Sequence, residues 1–314
     1  MLALFNGLLT YIGRHGALFL AFGVLVGLAL PDLAAIARPL LLPALLVPLT
    51  IALLRLDWRL LGDAVRRPVL IAVVTAWTLV ASPLLMALVL RPTPLPPALA
   101  NAIILMAAGA PVTMCATISL ILRLDTALAV VGIVFATALM PFTLPAIALP
   151  LLGLELDIDL GTFVLRFVLM VGTAFGVALA VRRLAGLERL ARHAHALDAT
   201  AVLSLLVFAV AIMDGVTAAA LERPAYVLGT VAAAFAANLG LQLAGTLAFL
   251  GLGMRRALTV GLLTGNCNMG IILVALADKA DFDTIMFFAL GQIPMYMLPA
   301  LLRPVYARLL AGRP

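Results

Sequence analysis

Asn101-Ala-Ile-Ile-Leu-Met-Ala-Ala-Gly109-Ala-Pro111-Val-Thr113-Met-Cys115-Ala-Thr117-Ile-Ser119 reads as a membrane helix that has been interrupted. The stretch is apolar enough to enter a bilayer, yet Gly109 and Pro111 break it and short polar side chains gather just beyond. A second stretch has the same character: Leu262-Leu-Thr264-Gly265-Asn266-Cys267-Asn268-Met269-Gly270. In hydrocarbon a broken helix leaves backbone N–H and C=O groups unpaired, at a cost of several kcal/mol each. Such breaks survive only where they are buried in protein or face a cavity. Paired breaks in the two halves of a chain point to a transporter's binding site.

The rest of the chain agrees with a bilayer. It has 314 residues, is 65% hydrophobic and only 11% charged, and its mean hydropathy is +1.24. A water-soluble domain of this length needs more polar surface. The apolar stretches are long and do not alternate, which excludes a β-barrel reading. The pI of about 10.1 comes from arginines in short loops between apolar runs, a membrane-topology signal rather than a nucleic-acid footprint. Cys115 and Cys267 both fall in apolar spans, so neither a disulfide framework nor a thiolate metal site is expected. Arg14 and His15 precede an apolar run that ends at Leu30-Pro31 without a small-residue cleavage site, unlike a cleaved signal peptide.

A span needs roughly 20 apolar residues. Ten are expected: 16–30, 35–54, 68–90, 98–121, 126–152, 160–181, 199–213, 225–250, 257–277 and 284–309. Residues 1–14 suit a short interfacial helix. Arg55, Arg59, Arg66 and Arg67 lie on one side, with Arg182, Arg183, Arg189, Arg192, Arg255, Arg256, Arg303, Arg308 and Arg313. Glu155, Asp157, Asp159, Asp214, Glu222, Asp278, Asp281 and Asp283 lie on the other, with Arg38, Arg91, Arg223 and Lys279 as exceptions to the bias. The positive-inside rule then places both termini in the cytoplasm, and the expected location is a bacterial plasma (inner) membrane.

Five spans per half force inverted topology. The chain therefore divides into a first repeat, 1–152, and a second, 153–314. Local phrases support the division. Arg123-Leu-Asp125-Thr126 follows the first break and Asp281-Phe-Asp283-Thr284 follows the second. Each next helix ends alike, in Met140-Pro-Phe-Thr-Leu-Pro145 and Pro294-Met-Tyr-Met-Leu-Pro299. Gly109 precedes Pro145 by 36 residues and Gly265 precedes Pro299 by 34. The fold expected is an all-α polytopic membrane protein with an inverted 5+5 repeat and broken helices four and nine.

At a break, the half-helix that begins there presents free N–H groups and the positive end of its dipole. These starts are expected near Pro111–Thr113, with Pro111 in the first helical turn, and near Asn268–Gly270. Two such starts suit a carboxylate or other small anion, and the carbonyls ending the preceding halves suit a cation. Candidate substrate- and ion-binding residues are Pro111, Thr113, Cys115, Thr117, Asn266, Cys267, Asn268, Asn238 and Gln292. Thr117 and Ser119 have the alternative of bonding to their own preceding turn. The cysteines have that of simple packing, and Asn238 and Gln292 that of tying helices together. Two amides within three residues at a break are costly without partners, which favours a binding role for Asn266 and Asn268. Asp214 is expected at the interface, and His193 and His195 in the basic loop, solvated. No ionisable residue sits mid-membrane in the broken spans, where proton-coupled carriers keep one.

This pattern resembles the bile acid:sodium symporter family. Ala110-Pro111-Val-Thr-Met-Cys-Ala-Thr117 looks like that family's Cys-Pro-Gly-Gly-Thr-Ala-Ser-Asn phrase, and Gly265-Asn266-Cys267-Asn268-Met269-Gly270 like its Gly-Met-Gln-Asn-Ser-Gly phrase. The resemblance implies crossing of helices four and nine, a panel domain of spans 1, 2, 6 and 7, and a core of spans 3–5 and 8–10. It also implies an organic-anion substrate held beside the crossing, in the crevice between panel and core, and alternating access. The family's sodium-binding glutamate falls at Leu263 or an apolar neighbour, its glutamine at Cys267 and its Ser-Asn pair near Ala116-Thr117. A hard cation wants several oxygen ligands. Any sodium site here is therefore a weak one, at Thr117, Asn266 and Asn268.

The function expected is secondary transport of a small organic anion, with sodium as a possible coupling ion, no other cofactor and the lipid bilayer as surroundings. A monomer suffices for this reading. The alternatives are a sodium-independent carrier similar to auxin efflux carriers, and a channel or sensor. No His-Glu-x-x-His, Gly-x-Ser-x-Gly, paired intramembrane aspartates or Asp-rich prenyl-diphosphate motif is present, so an enzyme is not expected.

Overall fold

The structure, a computed structural model, describes residues 7, 11, 16–55, 67–152, 160–276 and 280–311. Apart from 7 and 11, the interfacial helix expected over residues 1–14 lies outside the described residues. So do Arg59, Arg66, Glu155, Asp157, Asp159, Asp278, Lys279 and Arg313.

Among the described residues every regular element is helical. In chain order these are α1 (Gly16–Ala29), α2 (Pro31–Leu54), α3 (Pro68–Leu90), α4 (Pro97–Ala107), α5 (Met114–Ile121) and α6 (Thr126–Leu152). There follow α7 (Leu160–Ala185), α8 (Leu187–Arg192), α9 (Ala194–Ala211), α10 (Val216–Glu222) and α11 (Pro224–Ala248). The chain continues through α12 (Met254–Gly265), α13 (Met269–Leu276), α14 (Phe282–Leu290), α15 (Gln292–Leu301) and α16 (Arg303–Ala311). Proline opens α2, α3, α4 and α11, where its missing N–H costs nothing. Asp125 and Asp281 start α6 and α14 by accepting from Leu128 N (3.0 Å) and Thr284 N (2.7 Å).

Seven helices are long and apolar enough to cross a membrane: α2, α3, α6, α7 from Val164, α11, Ala194–Glu222 and Phe282–Leu301. The chain is thus an integral, multi-pass membrane protein. Of the other expected spans, α1 has 14 residues, and two are divided at their breaks into α4 with α5 and α12 with α13. The loop expected between the sixth and seventh spans is largely helical. α7 continues to Ala185, Gly186 turns the chain at φ +73°, and Arg189 and Arg192 lie on α8. The seventh span accordingly begins at Ala194 rather than residue 199. A glycine in the left-handed region lets a helix stop and restart within one residue.

The chain forms two compact units, residues 1–56 with 169–227 and residues 57–168 with 228–314. In unit 1, α9 packs against α1 and α2. Gly23 and Gly27 make close approach possible, since a Cβ at Gly27 would come within 2.7 Å of the Val210 carbonyl oxygen. Arg38 pairs with Asp214 at 3.1 Å, and Arg55 pairs with Asp198. His193 and His195 are exposed, as expected of solvated groups. Unit 2 holds both broken helices. Its core joins Val74, Cys115, Ile118, Leu128, Leu258, Leu262 and Leu263.

Candidate functional site

In unit 2 the two breaks meet, backbone to backbone. Pro111 and Cys267 form an isolated antiparallel bridge. Val112 N donates to Asn266 O at 2.8 Å, and Asn268 N donates to Ala110 O at 2.7 Å. Each break therefore supplies one of the hydrogen bonds its partner lost by leaving the helix, which is what burial of non-helical backbone demands.

This geometry corrects the expectation for Pro111. It does not sit in the first turn of a half-helix, because α5 starts at Met114. It occupies the bridge instead, between the two hydrogen bonds and outside both. An antiparallel pair flanked in this way needs no N–H from its central residues. Proline's missing donor is harmless there for the same reason that it is tolerated at sheet edges.

Neighbouring side chains close off the remaining backbone groups. Ser82 on α3 donates to Ala107 O at 2.8 Å, satisfying a carbonyl at the end of α4. Ala110 N points to Met140 Sδ at 2.7 Å. Trp77 Nε1, where α3 widens into a π-turn over Trp77–Ala81, donates to Thr264 Oγ1 at 3.1 Å. A π-turn in a helix often marks a functional position. One helix, α3, thus supports both breaks.

The predicted site residues separate into three groups. Pro111, Cys115, Asn266, Cys267 and Asn268 are together at the crossing. Cys115 Sγ lies 3.8 Å from Asn266 O and 3.9 Å from Leu262 O, while Cys267 Sγ lies 3.2 Å from Thr264 O. The thiols thus act as weak donors to carbonyls at the end of α12 and in the second break. Asn268 caps α13, its Oδ1 accepting from Ile271 N at 3.2 Å. Asn266 is 0% exposed. Its Nδ2 donates to Leu262 O at 2.9 Å, and its Oδ1 has no partner.

Asn238, on α11, makes the second group. Gln242 Nε2 donates to Asn238 Oδ1 at 2.6 Å, and Tyr306 Oη donates to Gln242 Oε1 at 2.9 Å. This buried chain lies directly against the second break. A Cβ at Gly265 would overlap Gln242 Cγ and come within 2.7 Å of Asn238 O. The Nδ2 of Asn238 has no partner.

Thr113, Thr117 and Gln292 form the third. Thr113 is half-buried, and Thr117, one turn further along α5, is exposed. Gln292 is buried, and its Nε2 donates back to Phe288 O at 3.0 Å. Ser119 likewise bonds to its own preceding turn, at Ala116 O (2.7 Å). Gln242, Tyr306, Trp77 and Ser82 were not singled out in the sequence. The spacing Asn238-x-x-x-Gln242-x-x-x-Thr246 along one helix face was a visible signal for Gln242, and Tyr306, Trp77 and Ser82 had no comparable one.

Among the described residues, the N–H groups of Thr113, Met114, Cys267 and Gly270 have no hydrogen-bond partner. Three buried side-chain polar atoms also lack one: Thr75 Oγ1, Asn238 Nδ2 and Asn266 Oδ1. Leaving such an atom dry costs about 1–3 kcal/mol. The crossing therefore combines unpaired donors at two half-helix starts with an unpaired amide oxygen on Asn266. Among the described residues, no cluster of three or more His, Cys, Asp or Glu side chains could hold a metal ion. Any hard cation here must rely on amide, hydroxyl and main-chain oxygens.

The model of the Sodium Bile acid symporter family matches residues 42–223. The match covers more than half of the chain, and the protein belongs to this family, whose members are membrane transporters rather than enzymes. No curated protein matches the sequence.

Proposed function

We propose that this member of the sodium bile acid symporter family is a secondary transporter. It moves a small organic anion of the carboxylate type by alternating access, with the solute recognised at the crossing of the two broken helices. The observation that carries this reading is the set of unpaired N–H groups on Thr113, Met114, Cys267 and Gly270, beside the paired bridge. Free amides at helix starts stabilise negative charge.

Ten spans complete the proposed topology. The interrupted helices each count as one crossing, the 5+5 halves are inverted, and both termini are cytoplasmic in a bacterial inner membrane. Unit 1 serves as panel and unit 2 as core. Sodium is the proposed coupling ion, held weakly. Asn266 Oδ1 is its strongest ligand candidate, being buried and unpartnered. Asn268 Oδ1 is already engaged as a cap, and Thr117 is exposed.

Thermal unfolding of the purified protein, titrated with small carboxylates in sodium and in choline chloride, tests both parts. A ligand that binds only the folded state raises apparent stability. A carboxylate-dependent rise that requires sodium supports coupled transport. A rise indifferent to sodium leaves the anion site and removes the coupling, as in a carrier of the auxin-efflux type. Saturable uptake and counterflow in proteoliposomes distinguish a carrier from a channel, and flux without either would overturn the transporter reading.

A further inference from the structure

Away from the crossing, unit 2 contains a cavity of about 910 Å³ lined by four arginines, Arg123, Arg255, Arg256 and Arg303. One carboxylate shares it: Asp125, which pairs with Arg256 at 3.5 Å and accepts from Leu128 N at 3.0 Å. Arg255 Nη2 donates to Leu124 O at 3.2 Å, leaving its other donors available. The guanidinium groups of Arg123 and Arg303 have no ion-pair or hydrogen-bond partner among the described residues. The lining thus carries a formal excess of three positive charges. Arg123, Arg255 and Arg303 are exposed at its rim and Arg256 is half-buried, so water and salt screen their repulsion, and an anion seated among them would meet several guanidinium groups at once.

We propose that this cavity binds a phosphate group, carried by an anionic phospholipid. Planar guanidinium forks match phosphate oxygens two at a time. The remaining wall is apolar, formed by Leu122, Leu252, Leu309 and Leu310, so the ligand that fits has an acyl chain beside its charge. Basic pockets between membrane helices, on the arginine-rich side of a protein, take such headgroups. The backbone fixes the position of Arg123. Among the described residues it is the non-glycine residue with positive φ, at 57°, as the left-handed residue of the cap that ends α5: Arg123 N donates to Leu120 O at 3.2 Å and Leu124 N to Ser119 O at 2.8 Å. Asp125 N donates to Thr259 Oγ1 at 3.0 Å and ties this turn to α12.

The position has a consequence for the crossing. The cavity lies where α5 ends and α12 begins, with α16 as its third wall. A bound phosphate ties together the outer ends of both broken helices, whose inner ends are already joined at Pro111 and Cys267. The lipid would therefore hold this pair of half-helices as one body.

The test uses the full chain in neutral detergent with phosphatidylcholine, titrated with phosphatidylglycerol and read by thermal unfolding. Phosphatidylglycerol should raise the unfolding midpoint saturably. Arg303→Gln should weaken that binding roughly fivefold and Arg123→Gln with Arg303→Gln roughly thirtyfold, from the usual gain per basic residue at an anionic lipid surface. Arg303 has no partner among the described residues, so its single variant is expected to fold normally even if the double variant does not. Arg189→Gln with Arg192→Gln, on α8, should leave the response unchanged. Equal loss in that control, or an unaltered response in Arg303→Gln, overturns the site. A midpoint shift with glycerol phosphate at equal concentration and none with phosphatidylglycerol overturns the lipid assignment in favour of a soluble phosphate. None of these readings depends on transport, so the outcome stands whether or not the crossing carries an anion.

Discussion

The two breaks solve one problem by different means. The first runs from Ala108 to Thr113 and contains glycine and proline but no side-chain cap. It is supported from outside, by Ser82, by Met140 and by the partner break. The second is only three residues long, Asn266–Asn268, and largely supports itself. Asn266 bonds back to Leu262, Asn268 caps the next half-helix, and Cys267 reaches Thr264. A proline-type break needs neighbours, whereas an amide-type break brings its own hydrogen bonds. Each break opens at the end that leads into its second half-helix: Val112 and Thr113 are half-buried in the first and Asn268 in the second, while the residues before them are buried.

The largest test of this contrast is Gly265→Val. The second break depends on close approach to α11, and a side chain would overlap Gln242 and crowd Asn238. Overpacking of this kind costs about 1–3 kcal/mol or more. A sharp loss of monodisperse protein in size-exclusion chromatography is expected, and normal yield would show that the α11 contact is adaptable.

Next is Asn266→Leu. Replacing a half-satisfied buried amide with an apolar side chain of similar size can be neutral or stabilising. The unfolding midpoint should stay level or rise while substrate uptake falls by at least about tenfold, as for loss of a charged-group hydrogen bond. A fall in both would mean that Asn266 is structural. Asn268 tests the cap more gently. Asn268→Ala should cost about 1 kcal/mol of stability, and Asn268→Ser should recover most of it. If uptake recovers along with stability, the role of Asn268 is to start α13. If only stability recovers, the amide itself contacts solute.

Pro111→Ala should change stability least. The new N–H lies outside both bridge hydrogen bonds, so a change within about 1 kcal/mol is expected. A larger loss, measured by thermal unfolding, would show that the rigid ring rather than the bridge holds the first break open.

These tests also mark what the sequence could reveal. The breaks themselves were legible, because proline and paired asparagines inside an apolar run are costly in an unbroken, dry helix. The half-helix starts fell close to Met114 and Met269 for the same reason. Partnership was less legible. Pro111 looked like a helix opener because a single chain cannot show that Cys267 lies opposite it. Thr117 looked like part of the site because α5 had no visible facing, and it proves exposed. The Asn238–Gln242–Tyr306 chain escaped notice because Tyr306 is 64 residues from Gln242. The Gly261-x-x-x-Gly265 spacing was a readable sign of close helix packing. Gly261 and Gly265 do meet α11 at Thr246, Gln242 and Asn238.

The hydrogen bonds that join Val112 to Asn266 and Asn268 to Ala110 involve main-chain atoms alone. Among codon changes only proline, at Val112 or Asn268, removes one of these donors, and it fixes φ at the same time. Every other substitution leaves the joint intact, so a genetic screen for loss of function would recover mainly the glycines that let the two segments approach. Removing the hydrogen bonds alone calls for chemistry on the backbone, an amide-to-ester replacement at Val112 or Asn268. Over evolutionary time the same immunity frees the flanking side chains to diversify without dissolving the crossing.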